Sequence, residues 1–326
     1  MSRRYCILGS ASLPLLAALC LGLPTAVRAA DGVTITEQPD KLRVEINGEL
    51  FTEYVFKGAP HVYFYPLIGP GGVPMTRNYP MVPDSKGESH DHPHHRSLWY
   101  SHGAVNGVDF WSEGSKAGKI VHDKFLEIKS GKDAGVIRSV NQWIAPDGKV
   151  VCTGLQTFRV YARPASERVF DFEVTYQAGD QELVLGDTKE GSMAIRVAAT
   201  MQLTGIEKKE GQGHIVLSTG VRDKETWGKQ AAWCDYYGPV QDKILGVALF
   251  DHPQNPRYPT WWHVRDYGLF AANPFGIHDF EKKPAGIGDL KIPAGGNLAF
   301  KYRFYLHAGD TEQARVAERY QEWTGK

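Results

Sequence analysis

Two turn signals set between alternating segments constrain this chain most. Leu42, Val44 and Ile46 alternate with polar residues, Asn47-Gly48 follows, and an apolar pattern resumes over residues 50–56. Both central residues of a type I′ turn need positive φ, which asparagine and glycine tolerate, so the segment predicts a β-hairpin. Residues 136–144 and 150–161 flank Pro146-Asp147-Gly148 and predict a second hairpin. Alternation returns over 169–176, 194–203, 215–219, 244–250 and 298–306. Short strands broken by Gly, Pro and Asp turns predict an all-β fold, a large antiparallel β-sandwich. One helix is expected, at the C-terminus. Asp310 can cap it with Gln313 three residues on, and Ala314, Ala317, Tyr320 and Trp323 make an apolar stripe.

The first 29 residues read as an export signal rather than as part of the fold. Arg3 and Arg4 precede a mostly apolar run over residues 7–23, and Val27-Arg28-Ala29 fits a small-residue cleavage site. The run is too short and interrupted for a membrane span. The expected mature chain, residues 30–326, has no linker or low-complexity tract and reads as one domain of an exported protein, periplasmic or secreted. Losing Arg3, Arg4 and Arg28 leaves it three more acidic than basic residues, with no basic excess for nucleic acid. Cys152 and Cys234 remain; in an oxidising compartment they could pair, and two buried thiols fit as well.

Chemistry concentrates in His90-Asp91-His92-Pro93-His94-His95-Arg96, followed closely by His102: five of the twelve histidines within thirteen residues. Imidazole can ligate a metal, move a proton near neutral pH or hydrogen-bond a hydroxyl. Pro93 favours an edge strand or loop over a central strand. His92 and His94 could hold a divalent metal ion with a distant third ligand such as His252, or could act without metal as acid and base. Arg96 offers a planar donor fork for a carboxylate or vicinal hydroxyls, with an internal salt bridge as the alternative. Asn106, Asp109 and Trp111 read as a turn followed by an aromatic wall. Asp187, Lys189 and Glu190 precede an apolar strand, so Glu190 would stand at its rim as a possible base. A third constellation, Trp262-His263-Val264-Arg265-Asp266-Tyr267 with Asn273, suits a sugar ring packed on indole with polar partners for its hydroxyls. No Gly-rich phosphate loop, Gly-x-Ser-x-Gly elbow or His-Glu-x-x-His helix occurs, which argues against kinase, serine-hydrolase and zincin readings.

Asp91-His92-Pro93-His94-His95-Arg96-Ser97-Leu98-Trp99, Asn106-Gly107-Val108-Asp109-Phe110-Trp111, Thr188-Lys189-Glu190-Gly191 and the run from Trp262 to Gly276 resemble the DUF6807 family, formerly labelled "methane oxygenase PmoA". Ser97 stands where that resemblance leads one to expect glycine. The oxygenase label does not suit the chain, because the membrane enzyme of that name has several spanning helices and the mature region has no comparable apolar run. By analogy, the strand-rich pattern is similar to the supersandwiches of the galactose mutarotase type, which act on carbohydrates. The expectation is an exported carbohydrate-active enzyme, a lyase, hydrolase or epimerase acting on a small sugar or oligosaccharide. His92, His94, His102, Glu190 and His263 are the acid/base candidates. Arg96, Asn106, Asp109, Trp111, Trp262, Asp266 and Asn273 are the substrate-binding candidates. The alternative is a non-catalytic sugar-binding module, and a weaker one an exported redox metalloprotein.

Overall fold

The computed structural model describes residues 1–2, 31–205 and 211–325. The expected export signal therefore falls, from residue 3 onward, outside the described residues. Strands β1 (Val33–Glu37), β2 (Lys41–Ile46), β3 (Glu49–Val55), β4 (Tyr63–Leu67) and β5 (Leu98–His102) form a meander. Four long strands follow: β6 (Lys119–Lys129), β7 (Ala134–Ile144), β8 (Val150–Tyr161) and β9 (Glu167–Ala178). Next come β10 (Leu183–Leu185), β11 (Gly191–Arg196), β12 (His214–Leu217), β13 (Trp233–Val240) and β14 (Lys243–Asp251). The remaining elements are β15 (Trp261–Val264), β16 (Leu269–Asn273), α1 (Ile277–Glu281), β17 (Leu290–Ile292), β18 (Asn297–Ala308) and α2 (Val316–Thr324).

These build two eight-stranded antiparallel sheets, one ordered β1-β2-β3-β4-β5-β11-β16-β15 and the other β12-β13-β14-β18-β9-β8-β7-β6, plus a small β10-β17 pair. The expected large antiparallel sandwich with a C-terminal helix is what the chain forms. Asn47 (φ 52°) and Gly48 (φ 79°) make the predicted hairpin turn between β2 and β3. Alternation dictates which side chains enter the core: in β8, Cys152, Gly154, Gln156, Phe158 and Val160 are buried while the residues between them are not. Phenylalanines from both sheets meet there, with Phe170 5.7 Å from Phe51, 5.1 Å from Phe158 and 4.7 Å from Phe304 by ring centroid.

Cys152 and Cys234 are both buried free thiols. They lie on β8 and β13, with β14, β18 and β9 between them, four strand spacings or about 19 Å in all. A disulfide needs Cα atoms within about 7 Å, so the pairing is ruled out by topology.

At the C-terminus the expected cap forms: Asp310 Oδ1 accepts from the Glu312 and Gln313 N–H groups, and Gln313 Oε1 accepts from the Asp310 N–H. Arg315 (φ 54°) then interrupts the turn, and α2 begins at Val316. This break shifts the buried face to Val316 and Tyr320, leaving Ala317 exposed; the helix packs over Val169, Phe250 and Tyr305 on the outside of the second sheet. No helix among the described residues is long and apolar enough to cross a membrane.

Candidate active site

The outward face of the first sheet carries the polar machinery. In β5, Leu98 and Tyr100 enter the inter-sheet core, so Trp99 must face the other way. Through the ladder, Trp99 pairs with Ala194 of β11, Ala194 with Ala271 of β16, and Ala271 with His263 of β15. Two alanines thus separate a tryptophan from a histidine across four strands, about 14 Å at backbone level.

Across this face runs the histidine segment, part of the long connection from β4 to β5. Two arginines with fully buried side chains clasp it. Arg77 donates to Asp91 Oδ1 (2.6 Å) and to the carbonyls of Tyr79, Ser89 and His92. Arg196 donates to the same Asp91 oxygen (3.2 Å) and to His95 Nδ1 (2.9 Å). Partial burial opposes ionisation of Asp91, but His92, Arg196 and Arg77 together hold its carboxyl well below the usual range. Ser97 closes the segment at φ 57°, a left-handed conformation that glycine adopts without strain, which accounts physically for glycine being expected there.

The clasp arranges aromatic rings into a column. Tyr267 stacks on His92 (5.3 Å between centroids), His92 on His95 (4.7 Å) and His95 on Trp99 (5.3 Å). His94 stands edge-on to His95 at 4.4 Å and near Trp111 at 6.3 Å. Its ring nitrogens meet no hydrogen-bond partner among the described residues. Burial and the neighbouring His92 push its pKa down to about 4, so it is a neutral base near pH 7.

On the opposite wall, Trp227 Nε1–H donates to His263 Nδ1 at 3.0 Å. Neither this indole nor the Arg196 guanidinium can accept a proton, so His263 and His95 both accept at Nδ1 and carry their own proton on Nε2. Burial, then Arg265 and Lys189, push His263 down to about 3. Burial, then His94 and Arg196, hold His95 well below the usual range. The site therefore holds two tautomer-fixed neutral imidazoles and one, His94, whose nitrogens are free.

Several expected site residues are instead structural. His102 is fully buried, donates from Nε2 to the Gly186 carbonyl (2.8 Å), and is lowered to about 4 by burial. It sits so close to Gly191 that a Cβ there would lie 2.6 Å from its Nδ1. Arg96 has Nε and Nη2 on the two carboxylate oxygens of Glu113 (2.5 and 2.8 Å), so the internal salt bridge is the arrangement found. Asn106 imitates a strand partner for Val184, accepting its N–H at Oδ1 while donating its own N–H to that residue's carbonyl. Asp109 caps the Trp111 and Ser112 N–H groups. Trp111 is buried with its Nε1 unpartnered, and Trp262 points into the inter-sheet core, donating to the Ala231 carbonyl. Asp266 accepts from Thr204 Oγ1, and Asn273 holds the Thr188 and Lys189 carbonyls and the Phe275 N–H. Glu190 stands at the rim as expected, half-exposed and paired with Lys189 at 2.5 Å.

The expected metal trio does not assemble. His252 lies at the end of β14, in the other sheet, against Trp323 (5.0 Å), its Nδ1 accepting the Gln254 N–H. Among the described residues no three His, Cys, Asp or Glu side chains are arranged to hold a metal ion. His92 Nδ1 instead stands 3.1 Å from Asp91 Oδ2, too poorly aligned for a hydrogen bond. Sequence reasoning missed Arg77, Arg196, Tyr267 and Trp227 as site-builders. Tyr267 and Arg265 lay inside the third constellation and were available to it; Arg77 and Trp227 stand in stretches with no local signal.

A two-sheet β-sandwich with a clasped histidine segment over one outer face is the class the fold and site define. The chain belongs to the family of unknown function DUF6807, whose model matches residues 41–321. No curated protein matches the chain. Among solved structures it is similar to a polysaccharide lyase (12% identity, 88% of this chain and 34% of that one, TM-score 0.37). It is also similar to an alpha-galactosidase from Lactobacillus brevis (9%, 86% and 40%, TM-score 0.35) and to galactose 1-epimerase from Lactobacillus acidophilus NCFM (6%, 85% and 98%, TM-score 0.35). The chain spans about a third of the lyase and two fifths of the galactosidase. At these scores the likeness assigns neither a residue nor a reaction to this chain.

Proposed function

We propose that this chain is an exported carbohydrate-active enzyme, a lyase, hydrolase or epimerase acting on a sugar or glycoside, with His94 as its proton-transfer group. One observation carries the reading: His94 is a half-buried neutral imidazole with unengaged nitrogens, held by a segment that two buried arginines fix in place. A base kept neutral and pre-positioned is what proton abstraction at a sugar carbon or water activation needs. Nε2–H of His263, on the facing wall, serves as a neutral donor to a substrate oxygen. Half-buried Trp227 supplies aromatic surface for the ring. Glu190 at the rim is a carboxylate close enough to Tyr267 to act on it electrostatically.

The metal-assisted form of this reading has lost its third ligand, so the acid/base form is preferred. Trp111 and Trp262 are buried, so a non-catalytic sugar-binding module would have to rest on Trp227 instead, and it is distinguished by binding without turnover.

The test is a screen of matched glycosides, uronides and free sugars with purified protein, His94→Ala beside it. Turnover abolished in the variant at an unchanged melting temperature supports the reading. For the wild type, kcat/KM should fall only as pH drops through about 4, where His94 takes up its proton. Full activity in His94→Ala overturns the assignment. Elemental analysis of untagged protein should find well under one divalent metal per chain; stoichiometric metal lost in a His92→Ala/His94→Ala variant would restore the metal form.

A further inference from the structure

Beside the His263 wall lies a cleft of about 270 Å³ lined by Asp223, Lys224, Trp227, Val264, Arg265 and Asp266. That is slightly below the volumes of typical small-molecule sites, and suits one sugar ring better than a chain of them. Arg265 differs from the other arginines of the site. Arg77, Arg96 and Arg196 each contact a carboxylate, whereas the half-buried Arg265 guanidinium has neither an acid within 4 Å nor a hydrogen bond among the described residues. It lies instead between two aromatic faces, 5.8 Å from the Trp227 ring and 5.5 Å from the Tyr267 ring. Cation–π contact orients a guanidinium without consuming its N–H donors.

Two acids flank the cleft beside two cations, Lys224 and Arg265, and each acid is held away by its own donor. Asp266 Oδ2 accepts from Thr204 Oγ1, and Asp223 Oδ1 accepts the Ile215 N–H with His214 3.6 Å away. Trp227 is only half-buried, and its indole N–H is fixed on His263, so it offers a rigid platform. Arg265, which lines the cleft, lies against Tyr267, and Tyr267 in turn stacks on His92 of the histidine column.

We infer that this cleft is a subsite for an acidic sugar residue, its ring on Trp227 and its carboxylate on the Arg265 fork. The inference rests on the carbohydrate reading above and narrows its substrate class to uronate-containing glycosides. Arg265 favours a carboxylate because its planar fork matches the two oxygens, and that geometry is stronger than hydrogen bonds to neutral hydroxyls.

The experiment is calorimetric titration of the full chain with trigalacturonate and with galactotriose, at two salt concentrations, on wild type, Arg265→Gln and Arg265→Lys. The wild type should bind the acidic trisaccharide at least about tenfold tighter, with the preference shrinking as salt rises. Arg265→Gln should bring the ratio close to one, with trigalacturonate losing far more affinity than galactotriose, and Arg265→Lys should keep part of the preference. A ratio unchanged by Arg265→Gln, or a preference for the neutral sugar, overturns the subsite but leaves the enzyme reading intact. Binding of neither trisaccharide, with no hit in the wider screen, overturns both. Arg265 is half-exposed, so both variants should fold, and a melting curve checks it.

Discussion

Replacing Asp91 by asparagine tests whether the arginine clasp places the histidine segment. The carboxylate is 43% exposed, yet the two guanidinia that share it are fully buried. Removing one partner from a fully buried ion pair costs about 3–5 kcal/mol, and removing an exposed one about 0–1. Asp91 lies between these limits, since solvent screens one side of it, so the expected cost is about 2 kcal/mol. For a chain of about 300 residues that corresponds to a fall in melting temperature of about 3 °C. The effect should also depend on pH. The folded carboxyl titrates well below its unfolded value of 3.8, so its stabilisation is present above that value and is lost as pH falls toward the folded one. Melting curves of wild type and Asp91→Asn should therefore differ most near neutral pH and converge in acid. Hydrogen exchange of residues 89–96 should quicken in the variant. A loss below about 0.5 kcal/mol at pH 7, or a gap that stays constant down to pH 3, would refute the clasp as the source of the segment's order.

Other expectations follow from single groups. Cys152 and Cys234 should react with a thiol reagent only after unfolding, and without prior reduction; protection that disappears on reduction instead would mean a disulfide. Asp251 is buried with Asn255 and the Thr260 N–H as its partners, and burial raises its carboxyl to about 7 despite those two hydrogen bonds. A raised carboxyl favours the folded state when protonated, so stability should decline as pH climbs from about 4 to about 7. Asp251→Asn should flatten that decline in urea titrations across the range, and an unchanged slope would assign it to another group.

The sandwich was legible because alternation and turn chemistry are local. Leu42, Val44 and Ile46 declare their shared face through neighbours two residues away, and Asn47-Gly48 declares its turn. The Ala317 stripe failed for the opposite reason: the left-handed residue at Arg315, which shifts the helical register, has no signature in an ordinary arginine. At the candidate site, the sequence singled out the segment that Arg77 and Arg196 clasp, but not how each of its side chains is engaged. His94 and His102 look equivalent as letters, yet one is unengaged and the other is locked beneath Gly191 on the Gly186 carbonyl. Trp262 and Trp261 are adjacent, and only strand parity decides that Trp262 enters the core. The partners of Asp91 come from positions 14 and 105 residues away, a separation at which no periodicity in the chain can report.

The row Trp99, Ala194, Ala271, His263 acts as a ruler cut into the backbone. Its length is set by hydrogen-bonded strand spacing, which side-chain substitution does not stretch, so the two walls keep their separation whatever residues they carry. A relative could exchange the histidine wall or the Trp227 wall without re-engineering the gap between them. A bulkier residue at position 194 or 271 would collide with the aromatic cluster packed over the row and close that gap from below.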